Sequence, residues 1–333
     1  MTITAARPGT TRRHRKRVGV TVLVWLFVLP VAAWSVVRFG GWERGPLVQL
    51  FAFTPYVAAW AWIPALIALA SRRWLGAAIA LVAAALLAVG VLPRMMVDKS
   101  RGPSTGVQLH VLTTNVLAGG ADVDTIVRLV RDNDVAVLAL QEFTPAIQGR
   151  FTEAGLDRLL PYSAPAAEVG TSGSALYSRY PITAGGSRRN GGGFLQAYGT
   201  VQPPGAGPLA VESAHPVAPY DVKVLGDWRS DLANQPRPDP DGTPLILLGD
   251  FNSTLDHKAL RDLIAGGYRD AAAVDGTGLI ATWGPYDGNP IPPVTIDHVL
   301  VDRRIGVRDV TVHAVPRSDH RSILAALTVP ATP

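Results

Sequence analysis

The chain contains no cysteine, so disulfides, thiol nucleophiles and cysteine-based zinc sites are all excluded. No Gly-x-Ser-x-Gly elbow surrounds Ser213 or Ser318, which argues against a serine hydrolase. The glycine-rich stretches at residues 185–186 and 191–193 lack the strand–glycine–helix context of a phosphate-binding fingerprint, and we interpret them as flexible surface loops.

Charge is missing from three long apolar runs near the N-terminus, at residues 18–37, 47–70 and 74–92. A helix of about 20 apolar residues spans roughly 30 Å of hydrocarbon, so we predict a three-span membrane anchor. A cleaved signal peptide is the alternative interpretation of the first run. Because the runs contain no ionisable residue, they predict an anchor rather than an ion path.

Basic residues are concentrated in the first third of the chain. Residues 1–100 carry 12 Lys/Arg and 2 Asp/Glu, a net charge of +10, whereas residues 101–333 carry 19 and 24, a net charge of −5. The positive-inside rule places the basic tail at residues 1–17 in the cytoplasm, and three spans then place everything after them outside. The acidic second part makes nucleic acid an unlikely partner, because phosphate binding depends on Lys and Arg.

After a short polar linker at residues 93–106, the sequence predicts one globular domain at residues 107–330. Many strand patterns and few helical ones favour an α+β domain of two stacked sheets. The predicted helices cover residues 122–133, 220–234 and 260–265. The predicted strands cover residues 107–113, 135–140, 174–178, 209–213, 245–248, 295–301, 307–315 and 322–329, and we interpret 295–301 and 307–315 as a pair.

Six of the apolar runs end in polar residues that can bind a metal or a phosphate. After the run at 245–248, Asp250 and Asn252 follow two positions apart, so both leave the strand end on the same side. A carboxylate there can take a proton from water, and an amide can hold a phosphate oxygen. The complete set is Asn115, Glu142, His215, Asp250 with Asn252, Asp297 with His298, and Asp319 with His320.

These positions carry motifs that resemble the endonuclease/exonuclease/phosphatase superfamily, the DNase I-like metal-dependent phosphoesterases. The resemblance covers residues 107–329 and implies a four-layer α/β/β/α sandwich, preceded here by the three predicted transmembrane helices. It places the site at the edge where both sheets open. The matching motifs are Thr114-Asn115, Gln141-Glu142, Gly173–Arg179 with Pro181, His215-Pro216, Gly249–Asn252, Thr295–His298 and Ser318–His320.

The resemblance implies a divalent cation, Mg²⁺ or alternatively Mn²⁺. Glu142 would be its main carboxylate ligand, with Asn115 beside it and Asp319 completing the shell. Oxygen ligands of this kind are the ones that Mg²⁺ prefers.

The resemblance also implies in-line hydrolysis at phosphorus without a covalent enzyme intermediate. Asp250 would orient or deprotonate the attacking water, and Asn252 would hold a phosphoryl oxygen. His320 would bond the phosphoryl oxygen while Asp297 fixes its ring, and His215 would contact the phosphate from the other side. His298 receives no role because this family position is often aromatic; we interpret His110 as structural, and His257 and His313 as surface residues.

The layout as a whole resembles membrane-anchored teicoplanin-resistance proteins of the VanJ type. This implies a multi-pass cell-membrane protein with a cytoplasmic N-terminus and an extracytoplasmic catalytic domain. Its substrate would be a lipid-linked phosphate in the outer leaflet, such as undecaprenyl pyrophosphate, with a link to glycopeptide resistance and no obligate protein partner. The alternatives are a membrane-tethered nuclease, with phosphate contacts from Arg188, Arg189 and Arg229, and a phospholipid phosphodiesterase.

Overall fold

The computed structural model describes residues 9–285 and 290–332, and the chain divides into two compact units. Among the described residues, the first unit contains those up to Glu43 and Phe53–Leu92, and the second contains Arg44–Ala52 and those from Pro93 onward. The first eight residues of the predicted basic tail lie outside the described residues. The helices of the N-terminal region are α1 (Gly9–Gly40), α2 (Leu47–Phe51), α3 (Thr54–Trp60), α4 (Trp62–Ala70) and α5 (Trp74–Val91).

In the part of the chain that the structure describes, two helices are long and apolar enough to cross a membrane, Arg17–Gly40 and Trp74–Met95. The second predicted span, residues 47–70, is not one helix. Its first turn, α2, belongs to the second unit, and the apolar stretch that remains, Thr54–Ala70, is shorter. The prediction of three spans is therefore not confirmed, although two apolar helices are consistent with a membrane anchor.

Small side chains mediate helix packing in the first unit. Alanines of α4 and α5 are buried together with two valines of α1, and larger residues such as Leu75, Val82 and Val89 are more than 60% exposed. The buried cluster consists of Val24, Val28, Ala65, Ala68, Ala77 and Ala80. Small residues inside and large apolar residues outside are typical of helices that face lipid.

The second unit contains two six-stranded sheets with helices on their outer faces. The first sheet has the order β11-β12-β1-β2-β4-β3, and the second has the order β5-β6-β7-β8-β10-β9. The strands are β1 (Val107–Asn115), β2 (Val137–Gln141), β3 (Tyr162–Ala166), β4 (Ser174–Ser178), β5 (Ile182–Arg189), β6 (Leu195–Val201), β7 (Leu209–Ala214), β8 (Leu245–Asp250), β9 (Tyr268–Asp270), β10 (Asp297–Asp302), β11 (Gly306–Ala314) and β12 (Arg321–Val329).

The helices of this unit complete a layered α/β/β/α sandwich, as the family resemblance implies. They are α6 (Val123–Asp132), α7 (Pro145–Glu153), α8 (Leu156–Leu159), α9 (Leu225–Ala233), α10 (Lys258–Ala265) and α11 (Ala271–Asp275), with a 3-10 turn at Val222–Val224; a further 3-10 turn, Leu92–Met95, begins at the last residue of the first unit. In α6, the Asp122 side chain caps the helix by accepting from the Thr125 amide, and Ile126 and Val130 are buried. The sequence periodicity therefore identifies α6 closely.

Each central strand contributes to two cores because its side chains alternate between two faces. In β8, Ile246 and Leu248 face the core between the sheets, whereas Leu245 and Leu247 face the helices α9 and α10. This explains why the strand is a continuous apolar run in the sequence, since neither face meets water.

Two sequence expectations are wrong, one about the pairing of strands and one about a glycine loop. The strands predicted as a pair at 295–301 and 307–315 belong to different sheets, because β10 pairs with β8 and β9 whereas β11 pairs with β12. Gly185 and Gly186 are not in a loop but in β5, at an irregularity in its pairing with β6. Glycines are tolerated there because β5 is an edge strand, and bulges are common at edges.

Residues 93–106, which the sequence predicts as a linker, are packed into the second unit. The Asp98 amide donates to the Val274 carbonyl at 2.9 Å, and Arg101 forms an ion pair with Asp275 at 2.9 Å. The Arg94 guanidinium pairs with Asp256 through two hydrogen bonds. This segment is therefore part of the folded unit rather than a free tether.

Gly249, at the penultimate position of β8, is required for close packing of the backbone. A Cβ atom there would overlap the Ala214 carbonyl oxygen and lie 2.9 Å from Gln141 Nε2. We expect Gly249→Ala to lower the free energy of unfolding by about 1–3 kcal/mol. Thermal unfolding followed by tryptophan fluorescence measures this. Gly207→Ala is the control, because a Cβ at Gly207 meets nothing within 4 Å; equal unfolding temperatures for the two variants would contradict the packing argument.

Candidate active site

The ends of the central strands bring polar residues to one edge of the sandwich. β1 runs parallel to β2 in one sheet, and β7 runs parallel to β8 in the other. The C-terminal ends of these strands therefore point the same way within each pair, and the packed sheets place both pairs together. The residues at or just after these ends are Asn115, Glu142, His215 and Asp250.

Asp250 is the centre of this group and is almost completely buried. Its Oδ1 accepts from the Asn252 amide at 2.8 Å, and its Oδ2 accepts from Asn115 Nδ2 at 3.2 Å. The Nε2 atoms of His215 and His320 lie 3.7 Å and 3.6 Å from the same Oδ2. A single carboxylate is thus surrounded by two amides and two imidazoles.

His320 is held by Asp297, as the predicted roles require. His320 Nδ1 lies 2.9 Å from Asp297 Oδ2 and 3.1 Å from Oδ1, and both residues are buried. The register of β8 and β10 places Asp297 directly opposite Asp250. The His320 ring is therefore oriented by one carboxylate while its other nitrogen faces a second one.

Burial and charge set opposite protonation states for the two histidines. Burial opposes the charge on His320, but Asp297 and Asp250 outweigh it and raise the pKa of His320 to about 10. Burial, assisted by the charge of His320, lowers the pKa of His215 to about 3. At neutral pH His320 is an imidazolium and His215 is neutral.

The pKa of Asp250 is raised from 3.8 to about 7, chiefly by burial, although His320 opposes the shift.

Glu142, Asn115 and Asp319 form the part of the site best suited to a cation. Asn115 Nδ2 donates to Glu142 Oε1 at 3.1 Å, and the Ala118 amide donates to Glu142 Oε2 at 2.7 Å. Burial raises the pKa of Glu142, and the charge of Asp319 adds to this. Asp319 Oδ1 is buried without a hydrogen-bond partner among the residues described. A cation would offset the repulsion between the Glu142 and Asp319 carboxylates and would give Asp319 Oδ1 a partner. This set of oxygen donors therefore fits a hard divalent ion.

A second group could also hold a metal. Asp250, Asp297 and His320 each offer a ligand atom, and these atoms lie within 4.8 Å of one another. The bond from His320 to Asp297 already uses one nitrogen, which leaves Nε2 toward Asp250. The eight predicted site residues are therefore all brought together. Asn115, His215 and His320 all approach Oδ2 of Asp250, and Asp319 Oδ1 lies 4.0 Å from His320 Nε2.

Asn252 has a left-handed backbone with φ of +47°, which asparagine adopts more readily than most residues. Its side-chain Nδ2 donates to the Pro216 carbonyl at 3.0 Å. This conformation turns the chain just after the end of β8, so that the Asn252 backbone amide donates to Asp250 Oδ1. Glu142 has the same left-handed backbone, with φ of +56°.

Several residues at the site were missed by sequence reasoning. Trp283 Nε1 donates to Asp319 Oδ2 at 3.0 Å, and Trp228 Nε1 donates to the Asn252 carbonyl at 3.1 Å. These are the two tryptophans outside the first 75 residues, which is a signal that the sequence did contain. Ser318 is also used, because its hydroxyl donates to the Asn115 carbonyl and accepts from the His320 amide.

The remaining histidines are partly as expected. His257 is not a surface residue but is 2% exposed and packed edge-on against Trp228. His298 is also buried, between Asp270 Oδ2 at 2.7 Å and the Ser253 carbonyl at 2.8 Å, so it supports the loop after β8 and does not face the site carboxylates. His110 is half-buried in β1, where its ring bonds the Asn133 carbonyl.

A cleft of about 800 Å³ adjoins His320 and Asp319. Its walls include the apolar side chains of Leu117, Trp283 and Val315, and Arg317 lies at its side. Arg317 forms an ion pair with Asp122 at 3.0 Å. The cleft therefore offers an apolar surface next to the polar group.

The two-sheet sandwich and the polar group at its edge define a DNase I-like fold with a hydrolase site. A family model described as Endonuclease/Exonuclease/phosphatase family matches residues 112–320, and the chain belongs to this family. Members are hydrolases that act on phosphoesters and use divalent metals. No curated protein matches the chain.

Solved structures share the fold at low sequence identity. An endonuclease/exonuclease/phosphatase from Beutenbergia cavernae is 18% identical with a TM-score of 0.53, over 67% of this chain and 72% of that one. Humanized D. rerio TDP2 is 13% identical with a TM-score of 0.54, over 67% and 99%. A family protein from Leptotrichia buccalis is 17% identical with a TM-score of 0.51, over 66% and 99%.

Proposed function

We propose that this protein is a membrane-anchored, divalent-cation-dependent phosphoesterase that hydrolyses a lipid (pyro)phosphate. The observation that carries the proposal is the buried group around Asp250, in which a carboxylate with a raised pKa faces one charged and one neutral imidazole. Such a group can accept a proton from water and stabilise negative charge on a phosphoryl oxygen at the same time.

The residues have separate roles in this reaction. Asp250 accepts a proton as water attacks phosphorus, and the bond from phosphorus to the leaving oxygen breaks on the opposite face. The imidazolium of His320, held by Asp297, donates to a phosphoryl oxygen, and neutral His215 donates to the phosphate from the other side. Asn252 holds another phosphoryl oxygen through its side-chain amide. No covalent enzyme intermediate is needed.

The cation is proposed to be Mg²⁺, or Mn²⁺ in its place, held by Glu142, Asn115 and Asp319. When bound, it would polarise the phosphoryl group and stabilise the charge that develops there. The unpaired oxygen of Asp319 and the raised pKa of Glu142 support this assignment.

A lipid substrate is supported by three features. The apolar cleft beside His320 provides a surface for a lipid chain or other apolar substituent. Residues 101–333 carry a net charge of −5, which disfavours a polyanion. The apolar helices would keep the site close to lipid. Together with the layout, these features favour an outer-leaflet substrate such as undecaprenyl pyrophosphate and a role in glycopeptide resistance.

A nuclease is less well supported. Arg188 pairs with Glu212 at 2.6 Å, and Arg189 pairs with Glu168 at 2.9 Å, so two of the three arginines considered for phosphate contacts are already neutralised. The third, Arg229, lies over the Trp228 ring at 5.9 Å.

The test is a substrate panel with the purified full chain in detergent micelles. Polyprenyl pyrophosphate, a phosphodiester lipid and plasmid DNA are offered with Mg²⁺, with Mn²⁺ and with EDTA. We expect phosphate release from polyprenyl pyrophosphate that EDTA abolishes. Plasmid nicking without phosphate release would favour the nuclease, and cleavage of the phosphodiester lipid alone would favour the phospholipase alternative.

The proposed topology, with three spans and the catalytic domain outside the cytoplasm, has its own test. A reporter that is active only outside the cytoplasm, fused after the last residue, should be active in cells. Activity of a cytoplasmic reporter at the same position would contradict an odd number of spans.

The pH dependence follows from two groups. Asp250 must be ionised to accept a proton, so kcat/KM should rise as pH increases through its pKa of about 7. His320 must be charged, so kcat/KM should fall as pH increases through about 10. A cation held by Glu142, Asn115 and Asp319 would favour the ionised Asp250 carboxylate, so the acid limb should move to lower pH as Mg²⁺ concentration rises. Rate–pH profiles at several Mg²⁺ concentrations measure this, and an acid limb that stays near pH 4 throughout would contradict it.

A further inference from the structure

The backbone that carries Asn252 is held by three buried rings from three different places in the fold. Trp228 Nε1 donates to the Asn252 carbonyl at 3.1 Å. His298 Nε2 donates to the Ser253 carbonyl at 2.8 Å. The Thr254 amide donates to His257 Nδ1 at 2.9 Å. Three consecutive residues, Asn252 to Thr254, are therefore fixed one by one, beginning two positions after Asp250.

His257 connects this loop to α2, which lies far away in the sequence. Since Nδ1 of His257 accepts from Thr254, its proton is on Nε2, and this nitrogen donates to the Val48 carbonyl at 2.8 Å. Val48 is completely buried in the same apolar cluster as Trp228 and Leu260. The segment Arg44–Ala52 thus completes the core behind the loop.

Arg94, which follows α5 in the sequence, contacts the same turn. Its Nη1 and Nη2 lie 2.8 Å and 2.7 Å from the two Asp256 oxygens, and the side chains are 8% and 0% exposed. The Asp256 amide in turn donates to the Thr254 hydroxyl at 3.3 Å. A buried bidentate pair of this kind is geometrically specific, and breaking it leaves an uncompensated charge.

A further contact reaches the side chain of Asn252. Gln49 Nε2 donates to the Pro219 carbonyl at 2.8 Å, and Asn252 Nδ2 donates to the Pro216 carbonyl at 3.0 Å. The loop at 216–219 therefore lies between α2 and the Asn252 amide. Both the backbone and the side chain of Asn252 are supported by the segment Arg44–Ala52.

We infer that Arg44–Ala52 and Arg94 are positioning elements for Asn252, acting through His257, Asp256 and the loop at 216–219. The inference rests on the proposed function for the role of Asn252. If Arg44–Ala52 and Arg94 have this role, the part of the chain needed for catalysis extends beyond the domain predicted at residues 107–330. It includes two segments that adjoin the apolar helices in the sequence, and these set the amide that holds the phosphoryl oxygen.

The main experiment uses His257→Phe in the full chain. Phenylalanine keeps a ring against Trp228, whose centroid lies 5.3 Å away, but loses the bonds to Thr254 and Val48. We expect kcat with polyprenyl pyrophosphate and Mg²⁺ to fall on the order of 10²-fold, with KM nearly unchanged. Arg94→Lys, which keeps the charge but loses the bidentate geometry, should act in the same direction. Arg101→Ala is the matched control, because Arg101 pairs with Asp275 and not with this turn.

A double-mutant cycle separates positioning from general damage. If His257 acts through Asn252, then His257→Phe should have little further effect in an Asn252→Ala background. An equal fall in kcat in both backgrounds would overturn the inference, as would wild-type kcat in both His257→Phe and Arg94→Lys.

Hydrogen exchange provides a readout that does not depend on activity. The peptide that contains the Thr254 amide should lose protection in His257→Phe and in Arg94→Lys but keep it in Arg101→Ala. Unchanged protection would overturn the inference even if the enzyme is active. If the wild type hydrolyses none of the substrates but protection changes as expected, the proposed function fails and the positioning contacts stand.

Discussion

Asp250→Asn is expected to lower kcat by at least roughly 10³-fold while the protein stays folded. The carboxylate is the one group of the site that combines a raised pKa with contacts to both site histidines. Asparagine has nearly the same shape but cannot accept a proton from water. Single-turnover measurements with saturating lipid pyrophosphate and Mg²⁺ would show the loss directly.

The stability of this variant adds a second, independent expectation. Asp250 is buried opposite Asp297, and burial is the main cause of its raised pKa. Because the neutral amide removes the desolvation of one of two neighbouring carboxylates, the unfolding temperature without metal should not decrease.

A control variant is available at the other end of β10. Asp302 is a buried carboxylate that pairs with Arg304 at 2.6 Å. Asp302→Asn should lower stability because it leaves the arginine without its charged partner, yet it should keep kcat close to wild type. If Asp250→Asn retained wild-type turnover, Asp250 would not be the base.

The ends of the central strands could be predicted from the sequence, because a strand buried on both faces is a continuous apolar run that stops where the chain leaves the core. β8 is apolar on both faces, so its run of Leu245–Leu248 stops abruptly where Asp250 leaves the core. The same holds for β2, which ends at Gln141 before Glu142. Asn115, Glu142, His215 and Asp250 lie at or just after such ends, whereas Asp297 begins β10 and His320 directly precedes β12.

The edge strands and the pairing could not be predicted in the same way. β5 contains two glycines and is mostly exposed, so it has no apolar alternation to mark it. β10 and β11 are separated by a short connection, which favours a hairpin interpretation. The pairing that places Asp297 opposite Asp250 depends on β8, 47 positions away in the sequence, and no local pattern reports it.

The contribution of the N-terminal segments was hidden for a different reason. Leu47–Phe51 is apolar and precedes a longer apolar stretch, so hydropathy merges it with a membrane span. Its burial against Trp228 and His257 depends on tertiary contacts. The burial of His257 cannot be predicted from the sequence, because its partner, the Val48 carbonyl, is a backbone group that no sequence pattern identifies.

The second large effect is expected for His320→Ala, with a fall in kcat of about 10²–10³-fold. The imidazolium sits between Asp297 at 2.9 Å and Asp250 at 3.6 Å, where it can donate to a phosphoryl oxygen as charge develops. His313→Ala is the matched control, because His313 lies in the adjacent strand of the same hairpin and its ring bonds Thr311. Comparable losses in both variants would indicate damage to the hairpin rather than loss of a catalytic group.

The charge of His320 can be tested separately from its presence. Asp297 is the main group that raises the pKa of His320 against the effect of burial. A histidine contributes as a cation only below its pKa, so removing the charge of Asp297 should shift the alkaline limb of kcat to lower pH. In Asp297→Asn, activity should therefore persist near neutral pH better than at pH 9, whereas the wild type should keep its activity at pH 9. If the alkaline limb did not move, His320 would act through its shape or hydrogen bonding alone, and the electrostatic role assigned to it would be wrong.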